Sequence, residues 1–249
     1  MVLLHGGTGS WTHWIRNVPA LARTHTVWVP DLPGFGDSAS PPRGADVAML
    51  AGIVARGLAQ LAGVEKVMLV GFSFGALVAG HLAASHPGQV QHLVLVGAGG
   101  LGLRDGKKLP LVAWRHLKTE AERMEAHRHN LANLMLWDAS RIDPLALHIQ
   151  SSNAARSRIN SGPFSRGDVL VEPLARIRCP VRGLWGRHDA TAGARLGEIE
   201  TILRRADSSA SVQVIEAAGH WVPYEQREAV NAALAQMART QLRPDVLAS

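Results

Sequence analysis

Short apolar runs, rich in Val and Leu, recur along this chain. They alternate with longer stretches whose apolar positions repeat at helical spacing. The runs predict strands at residues 2–5, 26–30, 66–71, 92–97, 181–186 and 211–216. Their nearly unbroken hydrophobicity suits strands covered on both faces, as in a parallel sheet flanked by helices. The intervening stretches predict helices at residues 15–22, 47–61 (with Asp46 as N-cap), 74–85, 194–205 and 225–240. The fold class that follows is α/β, a mostly parallel sheet with helices on either side.

Between the fourth run and Cys179 this rhythm breaks. Residues 101–166 read as helices without strands, at 112–136 and 143–152, followed by a polar stretch. They form an inserted helical lid, leaving residues 1–100 and 167–249 as the α/β core. Residues 243–249 read as a loose tail.

Composition narrows the class. Hydrophobic residues make up 47% and charged residues 18%, which supports a sizeable core in an ordinary globular protein. Cys179 is the single cysteine, so no internal disulfide framework exists and a reducing compartment is expected. The N-terminal residues lack the pattern of a signal peptide, and no apolar run approaches the roughly 18 residues that span a bilayer. A cytoplasmic protein with no membrane partner is the expectation.

The formal charge is +6, and residues 101–166, with eleven Lys/Arg against six acids, hold +5 of it. Neither aromatic-interleaved basic motifs nor zinc-ligand spacings accompany it, so neither nucleic acid nor a metal or other cofactor is expected. A positive lid over a reaction site can instead draw in a small anionic substrate.

The candidate chemistry begins at Gly71-Phe72-Ser73-Phe74-Gly75, a G-x-S-x-G turn between an apolar strand and a small-residue helix. Glycines two residues either side of Ser73 allow the tight turn that lifts its hydroxyl onto the helix N-terminus. A serine hydroxyl is a weak nucleophile without a base. His220, after the last strand, supplies one, and Asp189, after the strand before it, is the orienting acid. Two backbone amides complete the set as an oxyanion hole: that of Phe74, and that of Gly7 or, second, Thr8 in the glycine-rich loop after the first strand. Phe72, Trp114, Trp137 and Trp221 are candidates either to line an apolar pocket or to fill the core.

Together, His5-Gly6-Gly7, the stretch from Asp31 to Ser38, the elbow at Ser73, Gly186-Arg187-His188-Asp189 and Gly219-His220-Trp221 resemble the α/β-hydrolase superfamily over nearly the whole chain. The resemblance implies a serine hydrolase with Ser73, Asp189 and His220 as its triad. Residues 5–14, 95–102 and 219–225 are further similar to the hydrolases that cleave C–C bonds in ring-fission products of aromatic compounds. Two positions depart from that group. Phe72 stands where those enzymes carry Asn, and Gln150 stands where their lid holds an Arg for the substrate carboxylate, leaving Arg156 or Arg158 to replace it. Cleavage of a small ester and of a C–C bond beside a carbonyl therefore both stay open. So do acyl transfer and slow-turnover ligand binding on the same fold. Relatives also carry an N-terminal hairpin ahead of the first strand. Without it, residues 26–30 become a sheet edge, which predicts reduced stability or an edge-mediated homo-oligomer.

Overall fold

The computed structural model describes residues 1–61, 66–103, 109–165 and 167–239. Five parallel strands form one sheet in sequential order: β1 (Val2–Leu4), β2 (Val67–Phe72), β3 (Val90–Val96), β4 (Val181–Gly186) and β5 (Ser211–Ile215). Side chains alternate between faces, as the pleat dictates. Val2, Leu4, Leu69, Leu93 and Leu95 enter one core, and Leu3, Val70, Val94 and Val96 enter the other.

Ten α-helical segments are assigned among the described residues: α1 (Val18–Leu21), α2 (Val47–Leu61), α3 (Phe74–Ser85), α4 (Glu120–Asn130), α5 (Pro144–Ala155), α6 (Gly162–Ser165), α7 (Val171–Leu174), α8 (Ile199–Leu203), α9 (Val222–Glu225) and α10 (Arg227–Arg239). Residues of α2, α3 and α8 share the first core, while α1, α9, α10 and part of the segment from α4 to α5 share the second. None of these helices is long and apolar enough to cross a membrane.

Helices α2 and α3 have the bounds expected, and Asp46 Oδ1 accepts the Met49 amide at 2.8 Å, as an N-cap does. Elsewhere the chain departs from its pattern. Residues 26–30 form no strand but a single parallel bridge from Trp28 to Val2. β1 is only three residues long, and Pro30 has no N–H to extend the ladder.

The helix expected at residues 15–22 divides into a 3-10 turn, Trp11–Trp14, and the short α1. Pro19 clashes with a continuous helix but fits the first turn of a new one. Within residues 101–166, the helix expected at 112–136 starts late: residues 112–118 are not helical. The capping box of Thr119 with Glu122 starts α4, and a π-helical turn, Leu131–Met135, ends it. Residues 194–205 divide into a 3-10 turn, Gly193–Glu198, followed by α8. The last helix breaks at Gln226, between α9 and α10. Thr240 and the expected tail lie outside the described residues.

Candidate active site

Because the strands are parallel, the loops after β2, β3, β4 and β5 all leave by the same edge of the sheet. The turn after β2 is the sharpest. Ser73 sits at φ 52° and ψ −114°, a region few non-glycine residues occupy, and it caps the N-terminus of α3. A Cβ on Gly71 would lie 2.4 Å from the Gly75 carbonyl oxygen, and one on Gly75 would lie 2.4 Å from that of His5. No other residue fits either place. The same contact seats the loop after β1 against the turn.

The loops after β4 and β5 are tied together by backbone bonds. Arg187 N–H donates to the Ile215 carbonyl and His188 N–H to that of Ala218, both at 2.9 Å. This brings Asp189 and His220 together, 31 residues apart and 3% and 4% exposed. His220 Nδ1 lies 2.9 Å and 3.0 Å from the two Asp189 carboxylate oxygens, and His220 Nε2 lies 2.9 Å from Ser73 Oγ. A carboxylate only accepts, so Nδ1 carries the proton and Nε2 is left to accept from the serine hydroxyl. Burial by itself pushes the Asp189 carboxyl up. The facing imidazole and the Thr191 donors outweigh it and hold the carboxyl below its ordinary value.

Gly7 packs close to the start of α3. A Cβ there would meet Ser161 Oγ at 2.1 Å and Phe74 Cβ at 3.5 Å. Thr8 is next along the loop, at φ 52° with an exposed side chain.

Three neighbours of the site escaped the sequence reading. Thr191 donates to Asp189 Oδ1 through its amide (2.8 Å) and its hydroxyl (2.7 Å). The spacing Asp-x-Thr was the available signal, being that of a side chain capping its own turn. Gly97, at φ 53°, follows β3 next to the pair, and a Cβ on it would stand 3.2 Å from both Asp189 Oδ2 and His220 Nδ1. Glu225, 4% exposed, accepts the amides of Gly219 (2.7 Å), Asp138 (2.9 Å) and Trp137 (3.1 Å). It fastens the His220 loop to the segment after the π-helical turn. Its partner amides at Trp137 and Asp138 are remote in sequence, so no local signal marks it.

The four aromatic pocket candidates lie elsewhere. A cleft beside Ser73 and His220 is lined by residues 98–103, Ser165, Gly167, Thr191, Ala192 and Ile199, and none of the four is among them. Phe72 and Trp221 are fully buried. The Phe72 ring packs on His13 and His220, and the Trp221 indole stacks on Tyr224 and donates to the His13 carbonyl at 3.0 Å. Trp114 packs on His127, and Trp137 is 55% exposed, stacked on His188. Two of the four are thus in the core, Trp114 is half-buried and Trp137 is exposed.

The carboxylate-binding candidates are also otherwise engaged. Arg156 pairs with Asp37. Arg158 donates to the carbonyls of Ser38 and Gly36 and, at 3.2 Å, to Ser40 Oγ. Both guanidinium groups serve the loop after Phe35. Among the described residues no cluster of three metal-ligating side chains occurs.

Residues 1–134 match a family model described as alpha/beta hydrolase fold. The chain is 27% identical over 245 residues to the 2-hydroxy-6-oxo-6-phenylhexa-2,4-dienoate hydrolase of Burkholderia cepacia, covering 93% of this chain and 84% of that protein. It is 31% identical over 242 residues to the dihydrolipoyllysine-residue acetyltransferase component of the acetoin cleaving system of Cupriavidus necator, covering 94% of this chain and 62% of that longer one. Among solved structures, an esterase from Rhodococcus sp. ECU1013 superposes with a TM-score of 0.77 at 25% identity, covering 95% of this chain and 88% of the other.

Proposed function

The chain belongs to the α/β-hydrolase fold family, and from that premise we propose that it is a serine hydrolase of carboxylic esters acting through Ser73, His220 and Asp189. The observation that carries this reading is the continuous relay from Asp189 through His220 to Ser73, each contact 2.9 Å at its shortest. Ser73 Oγ attacks the ester carbonyl while His220 Nε2 takes its proton. Asp189 holds the imidazole in the required tautomer and stabilises the imidazolium that forms. The amides of Phe74 and Gly7 receive the developing oxyanion; one such donor is worth on the order of 10²–10³ in rate. Collapse breaks the C–O bond, and the departing alkoxide takes the proton from His220. Water, deprotonated by the same nitrogen, then attacks the acyl-enzyme, releasing the acid and restoring Ser73. Residues 101–166 act as the lid that keeps bulk water from this cycle.

An ester is favoured over a ring-fission product by the described walls of the cleft, among which stands no Lys, Arg, Asp or Glu. Arg156 and Arg158 are turned to the loop after Phe35, so no described guanidinium awaits a substrate carboxylate. C–C bond cleavage is the second reading, favoured by the similarity to the Burkholderia cepacia enzyme across 93% of the chain. Assaying the purified protein against p-nitrophenyl acetate and a coloured ring-fission dienone separates the two. Sustained release of p-nitrophenol with the dienone colour unchanged supports the ester reading; bleaching of the dienone alone replaces it with the second.

A further inference from the structure

From the cleft beside the reactive serine we infer that this hydrolase is selective for short acyl groups, about acetyl to butyryl in size. The inference rests on the serine-hydrolase reading and adds the dimension of the group that the serine carries. The cavity next to Ser73 and His220 has a volume of about 80 Å³. For scale, a dry apolar cavity of about 150 Å³ takes a single benzene molecule. A phenyl ring or a long alkyl chain exceeds half that space and has to extend out of the cleft's open side, whereas a few methylene groups stay within it.

The walls explain the size. Leu101, Leu103 and Ile199 line the cavity, at 5%, 9% and 1% exposure. All three belong to the main core on one side of the sheet, so they are held from behind rather than free to swing aside. Core side chains packed this way give little ground to an extra methylene, and forcing one in typically costs about 1–3 kcal/mol. The remaining lining among the described residues is largely glycine and alanine backbone from residues 98–102.

The acyl group, rather than the alcohol, belongs in this cavity for a kinetic reason. It stays bonded to Ser73 Oγ while the alcohol leaves and water enters, so the alcohol needs the open side of the site and the acyl group does not.

A series of p-nitrophenyl esters, from acetate through butyrate to octanoate and benzoate, reads this selectivity with the leaving group held constant. kcat/KM is expected to be highest between acetate and butyrate and at least tenfold lower for octanoate and benzoate. Ile199→Ala removes part of the far wall and should raise the octanoate-to-acetate ratio of kcat/KM about tenfold. Ala192→Leu, which fills the cavity, should lower the butyrate-to-acetate ratio; its folded state is checked by thermal melting. Octanoate or benzoate turned over as well as acetate by the wild-type protein overturns the size selectivity while leaving the serine-hydrolase reading in place. Absence of turnover with every ester, together with no labelling of Ser73 by a small phosphonylating agent, overturns both.

Discussion

Asp189 is a carboxylate with almost no contact with water, and its neighbours decide what it can do. Thr191 occupies one oxygen with two donors, and the His220 ring faces both. With the carboxyl held below its ordinary value, it stays ionised at neutral pH and keeps the proton on His220 Nδ1. Asp189→Asn removes that control, because an amide can present its NH₂ to Nδ1 and stabilise the tautomer whose Nε2 bears the proton. The expected result is a fall in kcat of about 10⁴-fold, with the thermal midpoint within a few degrees of wild type. A variant retaining a tenth or more of the wild-type kcat on p-nitrophenyl acetate places the orienting acid elsewhere.

At the scale of elements, the His220 loop is positioned from two directions. Backbone bonds hold it to the loop after β4, and the Glu225 carboxylate holds it to the segment following the π-helical turn. Trp221 N–H adds a bond of 2.7 Å to the Met135 carbonyl. Glu225→Ala leaves the buried Gly219 amide and the part-buried amides of Trp137 and Asp138 without their acceptor, a loss of about 1–3 kcal/mol. Urea unfolding should show that loss, and kcat should drop beyond what the folded fraction accounts for, since the His220 loop then keeps only the Trp221 bond on that side. Unchanged stability and kcat together would remove Glu225 from the account.

Much of this scale was legible beforehand. The β2–α3 turn carries its glycines in sequence, and strands buried on both faces announce themselves as apolar runs. What escaped was set by distant partners or by backbone detail. Arg156 is a candidate in place of Gln150, and nothing local reveals that its partner is Asp37, 119 residues away. Trp221 was offered to the cleft because apolar character is the same whether a side chain faces core or ligand. The division at Pro19 follows from proline chemistry, which outweighs the apolar spacing of residues 15–22.

The whole molecule carries a dependence on pH that is separate from catalysis. His5 is fully buried, with Nδ1 donating to the Gly6 carbonyl and Nε2 accepting the Leu32 amide, each at 2.8 Å. That arrangement requires the neutral ring, and burial lowers its pKa from 6.5 to about 4. His92 is brought to about 4 as well, by burial and by the nearby Arg182 charge. The folded forms of these rings resist a proton that the unfolded chain accepts, so stability is complete above pH 6.5 and lost as the pH falls towards 4. His5 alone contributes about 3 kcal/mol to that slope. The urea midpoint should decline steadily across this interval, and a midpoint constant or rising between pH 6.5 and 4.5 is incompatible with buried neutral histidines. The claim on which all the chemistry depends is that Ser73 Oγ forms the covalent bond to the acyl group. Its most direct test is kcat/KM of Ser73→Ala on p-nitrophenyl acetate, measured on protein shown to be folded by its thermal melt. A drop of roughly 10⁴-fold or more is expected; a variant within tenfold of wild type would show that another group attacks the ester.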